Sequence, residues 1–261
     1  MSETTQFRGP VRTAAIIPAA GRGVRLGPGA PKALRQLSGV PILVHAVRAM
    51  ARARAVSFVV VVAPPDGVAE VRTLLDEHPP PSSVDLVVVP GGATRQESVR
   101  LGLRALPEDV TAVLVHDAAR PLVPVDTVDA VAAAVLAGAP AVVPALPVTD
   151  TIKRVARPDR EGGPEPVTDT PDRSQLRAVQ TPQGFDREIL QAAHDAFAAP
   201  DGPDAGGRAD EGATDDAGMV ERLGKPVVLV PGHEEAFKVT RPLDLVLAEA
   251  VLARRRMTDG F

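Results

Sequence analysis

Short apolar runs alternate with amphipathic stretches along most of the chain. The apolar runs, rich in Val, Ile, Leu and Ala, lie at residues 13–18, 57–63, 84–89, 112–116 and 141–145. The stretches with helical periodicity lie at residues 42–54, 66–77, 95–105 and 125–137. Alternation of buried strands with helices is typical of βαβ units. We therefore predict an α/β fold with a mainly parallel sheet and helices on both faces.

One domain accounts for most of the chain. A length of 261 residues suits a single α/β domain, which we place at residues 12–256. Within it, residues 147–175 hold two short β-like pieces around a turn with little apolar content, a pattern that predicts a protruding β-arm. A further run at 176–180 returns to the sheet and ends in a polar segment at 181–185. Residues 198–213 carry almost no apolar bulk, and we interpret them as a flexible insertion.

Charge and composition narrow the classes of function. A formal net charge of -4 argues against a general nucleic-acid or membrane-surface binder but leaves room for a local cationic pocket, so we expect small-molecule partners. The chain has no cysteine, which excludes disulfides and thiolate chemistry. Residues 1–10 are polar and no apolar run approaches the length of a membrane span, so we expect a cytoplasmic protein.

A loop rich in glycine and arginine follows the first apolar run. It reads P-A-A-G-R-G-V-R from Pro18, with Gly21, Gly23 and Arg25, and Lys32 follows after a proline-rich stretch. The glycines let backbone amides approach an anion, and the two cations supply charge that amides lack, so the loop predicts a polyphosphate site. It is not a dinucleotide-binding fingerprint, because the third glycine falls one position late, nor a Walker loop, because an alanine follows Lys32.

Polar residues also follow two other predicted strands, at the edge where parallel sheets bind ligands. Gly92 and Ser98 belong to a glycine turn that opens a helix, and Ser98 either reaches a base or phosphate or is an ordinary first-turn residue. Asp117 and Arg120 follow the fourth run. Their position favours function over a structural ion pair: Asp117 for Mg²⁺ or a sugar or polyol hydroxyl, and Arg120 for the phosphate of a second substrate. We expect His116 to pack beneath the site without a catalytic role.

The last third of the chain adds two further candidates. Thr214 begins a T-D-D segment before a helical stretch, where capping and binding are equally compatible with the sequence. Lys238 emerges beside a turn between a predicted strand at 226–231 and a last helix at 243–255. We expect the arginines at 254–256 to be solvated and to complement the helix dipole.

These segments form an ordered series of motifs. They are P-A-A-G-x-G-x-R with Pro31-Lys32, Gly91-Gly92 with Arg95 and Ser98, V-H-D-A-A-R-P, D-T-I-K, Asp172-Arg173, T-P-Q, T-D-D and K-V-T-R-P. From about Arg12 to Leu252 the chain resembles the 2-C-methyl-D-erythritol 4-phosphate cytidylyltransferase family of nucleotidyltransferases. The resemblance implies a Rossmann-like fold of the nucleotide-diphospho-sugar transferase type, CTP and Mg²⁺ as partners, and a homodimer with exchanged arms. The implied reaction transfers CMP to methylerythritol phosphate and releases pyrophosphate, a step of isoprenoid precursor biosynthesis.

The resemblance also implies roles for individual residues. The nucleotide would contact Pro18, Ala19, Ala20, Gly21, Gly23, Gly92, Ser98, Asp117 and Ala118. The polyol phosphate would contact Arg120, Thr151, Arg173, Thr214 and Lys238. Arg25, Lys32 and Lys238 would be catalytic, steadying the phosphates during attack on the α-phosphorus of CTP. Asp117 would bind the metal, and Glu235 would share that duty, because the Asn expected two positions before Lys238 is an alanine.

Other functions remain compatible with the residues themselves. A cytidylyltransferase for another polyol phosphate, such as ribitol 5-phosphate, would have the same nucleotide half. A non-catalytic nucleotide binder would be expected to have lost Lys32 or Arg25, and both are present. An NAD-dependent dehydrogenase would need an acidic residue after the second strand, where Ala63-Pro64-Pro65 stands. Ala33, Ala93 and Ala236 replace usual family residues and bear on base recognition and metal binding.

Overall fold

The structure is a computed structural model that describes residues 12–21, 32–81, 83–157, 160, 162–197 and 215–258. Its strands are β1 (Arg12–Pro18), β2 (Gln36–Leu37), β3 (Val40–Pro41), β4 (Val56–Ala63), β5 (Asp85–Pro90), β6 (Val110–Val115), β7 (Ala141–Pro147), β8 (Arg154–Val155), β9 (Val167–Asp169), β10 (Arg177–Val179), β11 (Gln183–Asp186) and β12 (Val227–Pro231). Its α-helices are α1 (Ile42–Ala51), α2 (Val68–Glu77), α3 (Arg95–Arg104), α4 (Val125–Leu136), α5 (Arg187–Ala196), α6 (Asp216–Arg222) and α7 (Pro242–Thr258).

Eight of the described strands form one sheet in the order β10-β7-β11-β6-β1-β4-β5, and β12 also pairs with β7. β1 runs parallel to β4 and β6, and β4 runs parallel to β5. These strands read as nearly continuous apolar runs because both of their faces are covered. The mainly parallel α/β sheet expected from the sequence is confirmed.

Helices cover both faces of this sheet, as predicted. Ala15 and Ile17 of β1 face a core that α1, α2 and α4 complete. Ala14 and Ile16 face the opposite core, which α3, α5 and α6 complete. Successive residues of a strand point to opposite faces, so one short apolar run contributes to both layers. None of the described helices is long and apolar enough to cross a membrane.

β11 corrects the prediction that residues 181–185 are only a polar strand end. It lies antiparallel between β6 and β7, in the middle of the sheet. Phe185 is fully buried there, and a Cβ on Gly184 would lie 2.6 Å from the Val131 side chain of α4, so the glycine lets helix and strand pack closely. A strand of four residues with one large apolar side chain leaves little trace in the hydropathy pattern.

The arm, residues 147–175, contains the expected hairpin. β8 and β9 pair antiparallel, and all of their residues are exposed. The flexible insertion predicted at 198–213 lies outside the described residues. At the other end of the chain, α7 is longer than the predicted 243–255 and buries Ala248 and Val251 against Leu37, Ile42 and Val239.

Candidate active site

A pocket of about 290 Å³ opens at the edge of the sheet where β1, β5 and β6 end. It is lined by Pro18, Ala20, Gly21, Ala33, Gly92, Ala93, Thr94, Arg95, Ser98, Asp117, Ala118, Ala119, Lys238 and Thr240. The carboxyl ends of parallel strands meet at one edge, which brings distant parts of the sequence together. The pocket therefore contains most of the nucleotide-binding residues that the resemblance implied. Ala19 is buried in the same loop, where its amide donates to the Val62 carbonyl at 2.8 Å.

The glycine turn at residues 91–94 forms one wall of the pocket. Thr94 caps α3 by accepting a hydrogen bond from the Glu97 amide at 3.0 Å, and Glu97 accepts one from the Ala93 amide at 2.7 Å. The Ser98 hydroxyl donates to the Thr94 carbonyl at 2.9 Å and accepts from the Gly92 amide at 3.2 Å. Both hydrogen bonds of the Ser98 hydroxyl are made within the turn itself, as expected of an ordinary first-turn residue.

The two glycine loops touch each other. A Cβ at Gly91 would lie 2.8 Å from the Cβ of Ala20 and 3.1 Å from the Ala63 carbonyl oxygen. Real Cβ atoms do not approach neighbours that closely, so a larger residue would push the loops apart. Gly91 therefore sets the width of the pocket between β1 and α3.

Asp117 joins the pocket to the last part of the chain. Its Oδ2 accepts a hydrogen bond from Lys238 Nζ at 2.7 Å, and Arg95 Nε and Arg120 Nε lie 3.7 and 3.8 Å from its carboxylate oxygens. Burial alone would raise the pKa of Asp117, but Lys238, Arg95 and Arg120 outweigh it and lower the pKa to about 2. The carboxylate is therefore ionised at neutral pH and holds Lys238, whose side chain is 41% exposed, at the mouth of the pocket.

Arg120 has protein partners where the sequence suggested a phosphate. Its guanidinium donates to the Ala236 carbonyl at 2.7 Å and to the Val179 carbonyl at 3.4 Å, and its side chain is 12% exposed. The Ala119 carbonyl accepts a further hydrogen bond from the Val239 amide at 2.8 Å. In this structure Arg120 braces the Lys238 segment, residues 236–239, against the turn at residues 117–120.

A buried ion-pair cluster behind the pocket was not predicted as part of the site. Arg95 Nη1 lies 2.7 Å from Asp216 Oδ2, and His194 Nε2 lies 3.1 Å from Asp216 Oδ1. Asp216 and His194 are fully buried. Burial would raise the pKa of Asp216, but His194 and Arg95 outweigh it and lower the pKa. Asp215 is the helix cap, accepting from the Gly218 amide at 2.9 Å. The T-D-D segment thus contributes a helix cap, Asp215, and an ion-pair partner of Arg95, Asp216. The sequence alone does not distinguish these two roles, because they depend on contacts with distant parts of the chain.

We expect Asp216→Ala to lower the free energy of unfolding by about 3 kcal/mol at pH 7, because it leaves a buried histidine and a partly buried arginine without their carboxylate. Because the pKa of Asp216 is lower in the folded protein than in the unfolded chain, its carboxylate stabilises the fold at pH values above the unfolded pKa of about 4. This stabilisation is lost as the pH falls through the folded-state pKa. The difference from wild type should therefore shrink in acid. Urea unfolding measures it, with Asp186→Ala, which removes the cap of α5, expected to cost only about 1 kcal/mol. Equal losses for the two variants would contradict a structural role for the cluster.

Several expected site residues do not reach the pocket within the described chain. Thr151 and Arg173 are exposed on the arm, where Arg173 donates to the Thr149 carbonyl at 2.6 Å. Gly23, Arg25 and Thr214 lie outside the described residues. The backbone of Lys32 begins a 3-10 turn, Lys32–Leu34, next to the pocket-lining Ala33, and the structure describes only the backbone of Lys32.

Glu235, which was expected to share metal binding, has protein partners instead. Its carboxylate forms ion pairs with Arg254 and Arg255 of α7, and Arg255 also donates to the Leu122 carbonyl at 2.7 Å. Burial would raise the pKa of Glu235, but Arg255 and Arg254 outweigh it and keep the pKa low. These contacts give Glu235 a structural role and engage the carboxylate that was expected to share the metal. They also show that two of the arginines expected to be solvated fix α7 to the body.

Known proteins are similar to this chain over nearly its whole length. The family model described as 2-C-methyl-D-erythritol 4-phosphate cytidylyltransferase matches residues 13–254. A protein of that name from Streptomyces coelicolor is 69% identical over 254 residues, which cover 97% of this chain and 90% of the relative. Another from Streptomyces avermitilis is also 69% identical, over 250 residues that cover 96% of this chain and 95% of the relative.

Solved structures agree with these relatives. The crystal structure of 2-C-methyl-D-erythritol 4-phosphate cytidylyltransferase from Thermus thermophilus is 37% identical, with a TM-score of 0.67, and the match covers 92% of this chain and 98% of that one. A 4-diphosphocytidyl-2C-methyl-D-erythritol synthase from Anaerococcus prevotii is 25% identical with a TM-score of 0.74, covering 93% and 96% of the two chains. With the pocket, the motifs and nearly full-length matches in agreement, the chain belongs to the 2-C-methyl-D-erythritol 4-phosphate cytidylyltransferase family.

Proposed function

We propose that the chain transfers CMP from CTP to 2-C-methyl-D-erythritol 4-phosphate and releases pyrophosphate, the activity of its family in isoprenoid precursor biosynthesis. The observation that carries this proposal is the Lys238–Asp117 pair, with its 2.7 Å contact, at the mouth of a pocket walled by two glycine loops. It combines an anchored cation with backbone suited to phosphate. A dehydrogenase does not require this combination, and the family match argues against one.

The reaction needs no covalent intermediate. An oxygen of the acceptor's phosphate monoester attacks the α-phosphorus of CTP, and the bond from that phosphorus to the oxygen bridging to the β-phosphate breaks. Pyrophosphate leaves with the electron pair of that bond. Two anions must approach each other for this to happen, so catalysis consists of alignment and neutralisation of charge.

The nucleotide would lie between the two glycine loops. Ala20, Gly21 and Gly92 bring backbone close to the ligand, and α3 begins at Arg95 with its positive dipole end towards the pocket. The two loops contact each other at Ala20 and Gly91, which leaves little room for a purine and supports a preference for cytosine. Arg25 and Lys32 would brace the α-phosphoryl group and the leaving pyrophosphate.

Lys238 would steady the incoming phosphate. Its ammonium is partly exposed yet fixed by Asp117, so it can meet an anion without first losing the freedom of a mobile lysine. Arg120 and Ala119 hold the backbone on either side of it. A phosphate contact for Arg120 itself would require it to exchange its carbonyl partners.

The residues present fit a Mg²⁺ ion that arrives with the nucleotide. Among the described residues that line the pocket, Asp117 alone carries a carboxylate, and no group of three or more His, Asp or Glu in the described chain could hold a metal. Mg²⁺ commonly takes one or two carboxylates together with substrate phosphates. We propose that Asp117 is its protein ligand; when bound, the ion would neutralise charge on the triphosphate.

We also propose a homodimer in which the arms are exchanged. The arm exposes Ile152, Val155 and Val167 at 40%, 43% and 57%, which is unusual for a hairpin that has to be stable alone. A second copy would cover these side chains and bring Thr151 and Arg173 to the partner's pocket. The cytoplasmic location stays a prediction of the sequence.

Pyrophosphate release from purified protein tests the proposed activity. We expect release with CTP, Mg²⁺ and 2-C-methyl-D-erythritol 4-phosphate, loss of release after chelation of Mg²⁺, and rates at least about tenfold lower with ATP, since tenfold corresponds to only about 1.4 kcal/mol of discrimination. Ribitol 5-phosphate and other polyol phosphates serve as competing acceptors. Faster release with one of them would reassign the acceptor, and equal rates with CTP and ATP would contradict the base preference.

A further inference from the structure

We propose that Thr181 is a positioning residue for CMP transfer, acting with His116 to fix the turn at residues 117–120 and thereby the Lys238–Asp117 pair. Neither side chain lines the pocket, and both are buried, Thr181 at 5% and His116 at 0% exposure. They can therefore affect the reaction only through the residues they hold. The inference rests on the proposed role of Lys238 and Asp117 and identifies what keeps those groups in place.

The first observation concerns the backbone of the turn. β6 ends at Val115, and the His116 amide still donates to the Ile16 carbonyl of β1 at 2.9 Å. The next amide, that of Asp117, leaves the ladder and donates to the Thr181 hydroxyl at 3.0 Å. A side chain 64 residues further along the chain therefore replaces a strand partner at the residue that carries the carboxylate.

The hydrogen-bond donors and acceptors around His116 are consistent with a single protonation pattern. His116 Nε2 lies 3.1 Å from the Arg120 carbonyl, which can only accept, so Nε2 carries the proton. With the proton on Nε2, Nδ1 of the neutral ring is an acceptor. The Thr181 hydroxyl, 3.1 Å from Nδ1, donates to it and keeps a lone pair for the Asp117 amide. Both ends of the turn are thus tied to the same buried pair of side chains.

The third observation links this turn to Lys238. The Ala119 carbonyl accepts from the Val239 amide at 2.8 Å, and Arg120 donates to the Ala236 carbonyl at 2.7 Å. The Lys238 segment is therefore docked on the turn at both of its ends. A shift of the turn would move the carboxylate and the ammonium together, away from the glycine loops that hold the nucleotide.

Replacing Thr181 with Val tests the proposal, because it keeps the shape of the side chain and removes the hydroxyl. The amide of Asp117 and Nδ1 of His116 then lose their shared partner. We expect kcat to fall about 10- to 100-fold, the range associated with misplacement of a reacting group by about 1 Å, while KM for CTP stays within about threefold. Thr181→Ser restores the hydroxyl and should return kcat to within about threefold of wild type.

Thr13→Val is the matched control. Thr13 is 1% exposed on β1 of the same sheet, outside the pocket lining, and undergoes the same change of hydroxyl to methyl. Its kcat should stay within about twofold of wild type. If Thr181→Val does not fold, Thr181→Ala takes its place beside Thr181→Ser in the same comparison.

These measurements distinguish a failure of the positioning role of Thr181 from a failure of the proposed CMP transfer. Turnover within about threefold of wild type for the variant without the hydroxyl, or a loss that Thr181→Ser does not rescue, would overturn the positioning role. An equal loss in Thr13→Val would do the same, because it would reduce the effect to the removal of any buried hydroxyl. A wild-type chain that transfers no CMP would overturn the proposed function, and the positioning role with it.

Discussion

Replacing Lys238 with Met is expected to lower kcat by about 10²- to 10³-fold, while the dissociation constant for CTP changes by less than about threefold. Met keeps most of the length and apolar stem of the lysine but has no charge. The acceptor phosphate would then approach the α-phosphorus without the Lys238 ammonium. Asp117 would face it without its hydrogen-bonded cation, with Arg95 and Arg120 at 3.7 and 3.8 Å from its carboxylate oxygens. Steady-state turnover and a CTP titration measure the two quantities separately.

Lys225→Met is the matched control for this variant. Lys225 is exposed, follows α6, and does not line the pocket. The same loss of one positive charge there should leave turnover within about twofold of wild type. If Lys238→Met kept turnover within a few-fold of wild type, or lost CTP binding as much as turnover, the role assigned to Lys238 would be wrong.

The second large effect is expected when two inactive variants are mixed. With exchanged arms, each site takes Lys32 from one chain and Arg173 from the other, so Lys32→Ala and Arg173→Ala should each be nearly inactive. Random exchange of subunits makes half of the dimers mixed, and each mixed dimer has one intact site. Activity should therefore return to about a quarter of the wild-type value. Differently tagged subunits, purified through both tags, show that mixed dimers have formed.

Arg157→Ala provides the control on the same arm. Arg157 is exposed, like Arg173, and is not among the residues implied to bind substrate. This variant should stay active alone. Mixing Lys32→Ala with itself should restore nothing. Mixed dimers without recovered activity would mean that Arg173 acts within its own chain or has no role in the site.

Much of the fold follows from the hydropathy pattern. β1, β4 and β6 are buried on both faces, so their apolar runs are nearly uninterrupted and their positions could be predicted within one or two residues. Their order fixes the edge at which polar residues gather. The region around Gly92 and Asp117 could therefore be predicted as a site from the parallel direction of the strands alone.

The partners of charged residues could not be predicted in the same way. Asp117 and Lys238 are 121 positions apart, and Asp216 meets Arg95 and His194 only because α3, α5 and α6 pack on one face. Glu235 could bind a metal or an arginine with equal ease, and the choice depends on where α7 lies. A local sequence pattern contains no information on these distances. The protein partners of Arg120 and Glu235 could therefore not be predicted from the sequence.

The proposed function requires CTP to bind between the two glycine loops at the carboxyl edge of the sheet. Hydrogen–deuterium exchange with and without CTP and Mg²⁺ tests it most directly, because a ligand slows exchange where it orders the backbone. We predict slower exchange in peptides that span residues 13–32 and 91–98, and unchanged exchange in α2, residues 68–77, which does not line the pocket. Protection confined to α2 or to other segments outside the pocket would mean that CTP does not bind between the glycine loops.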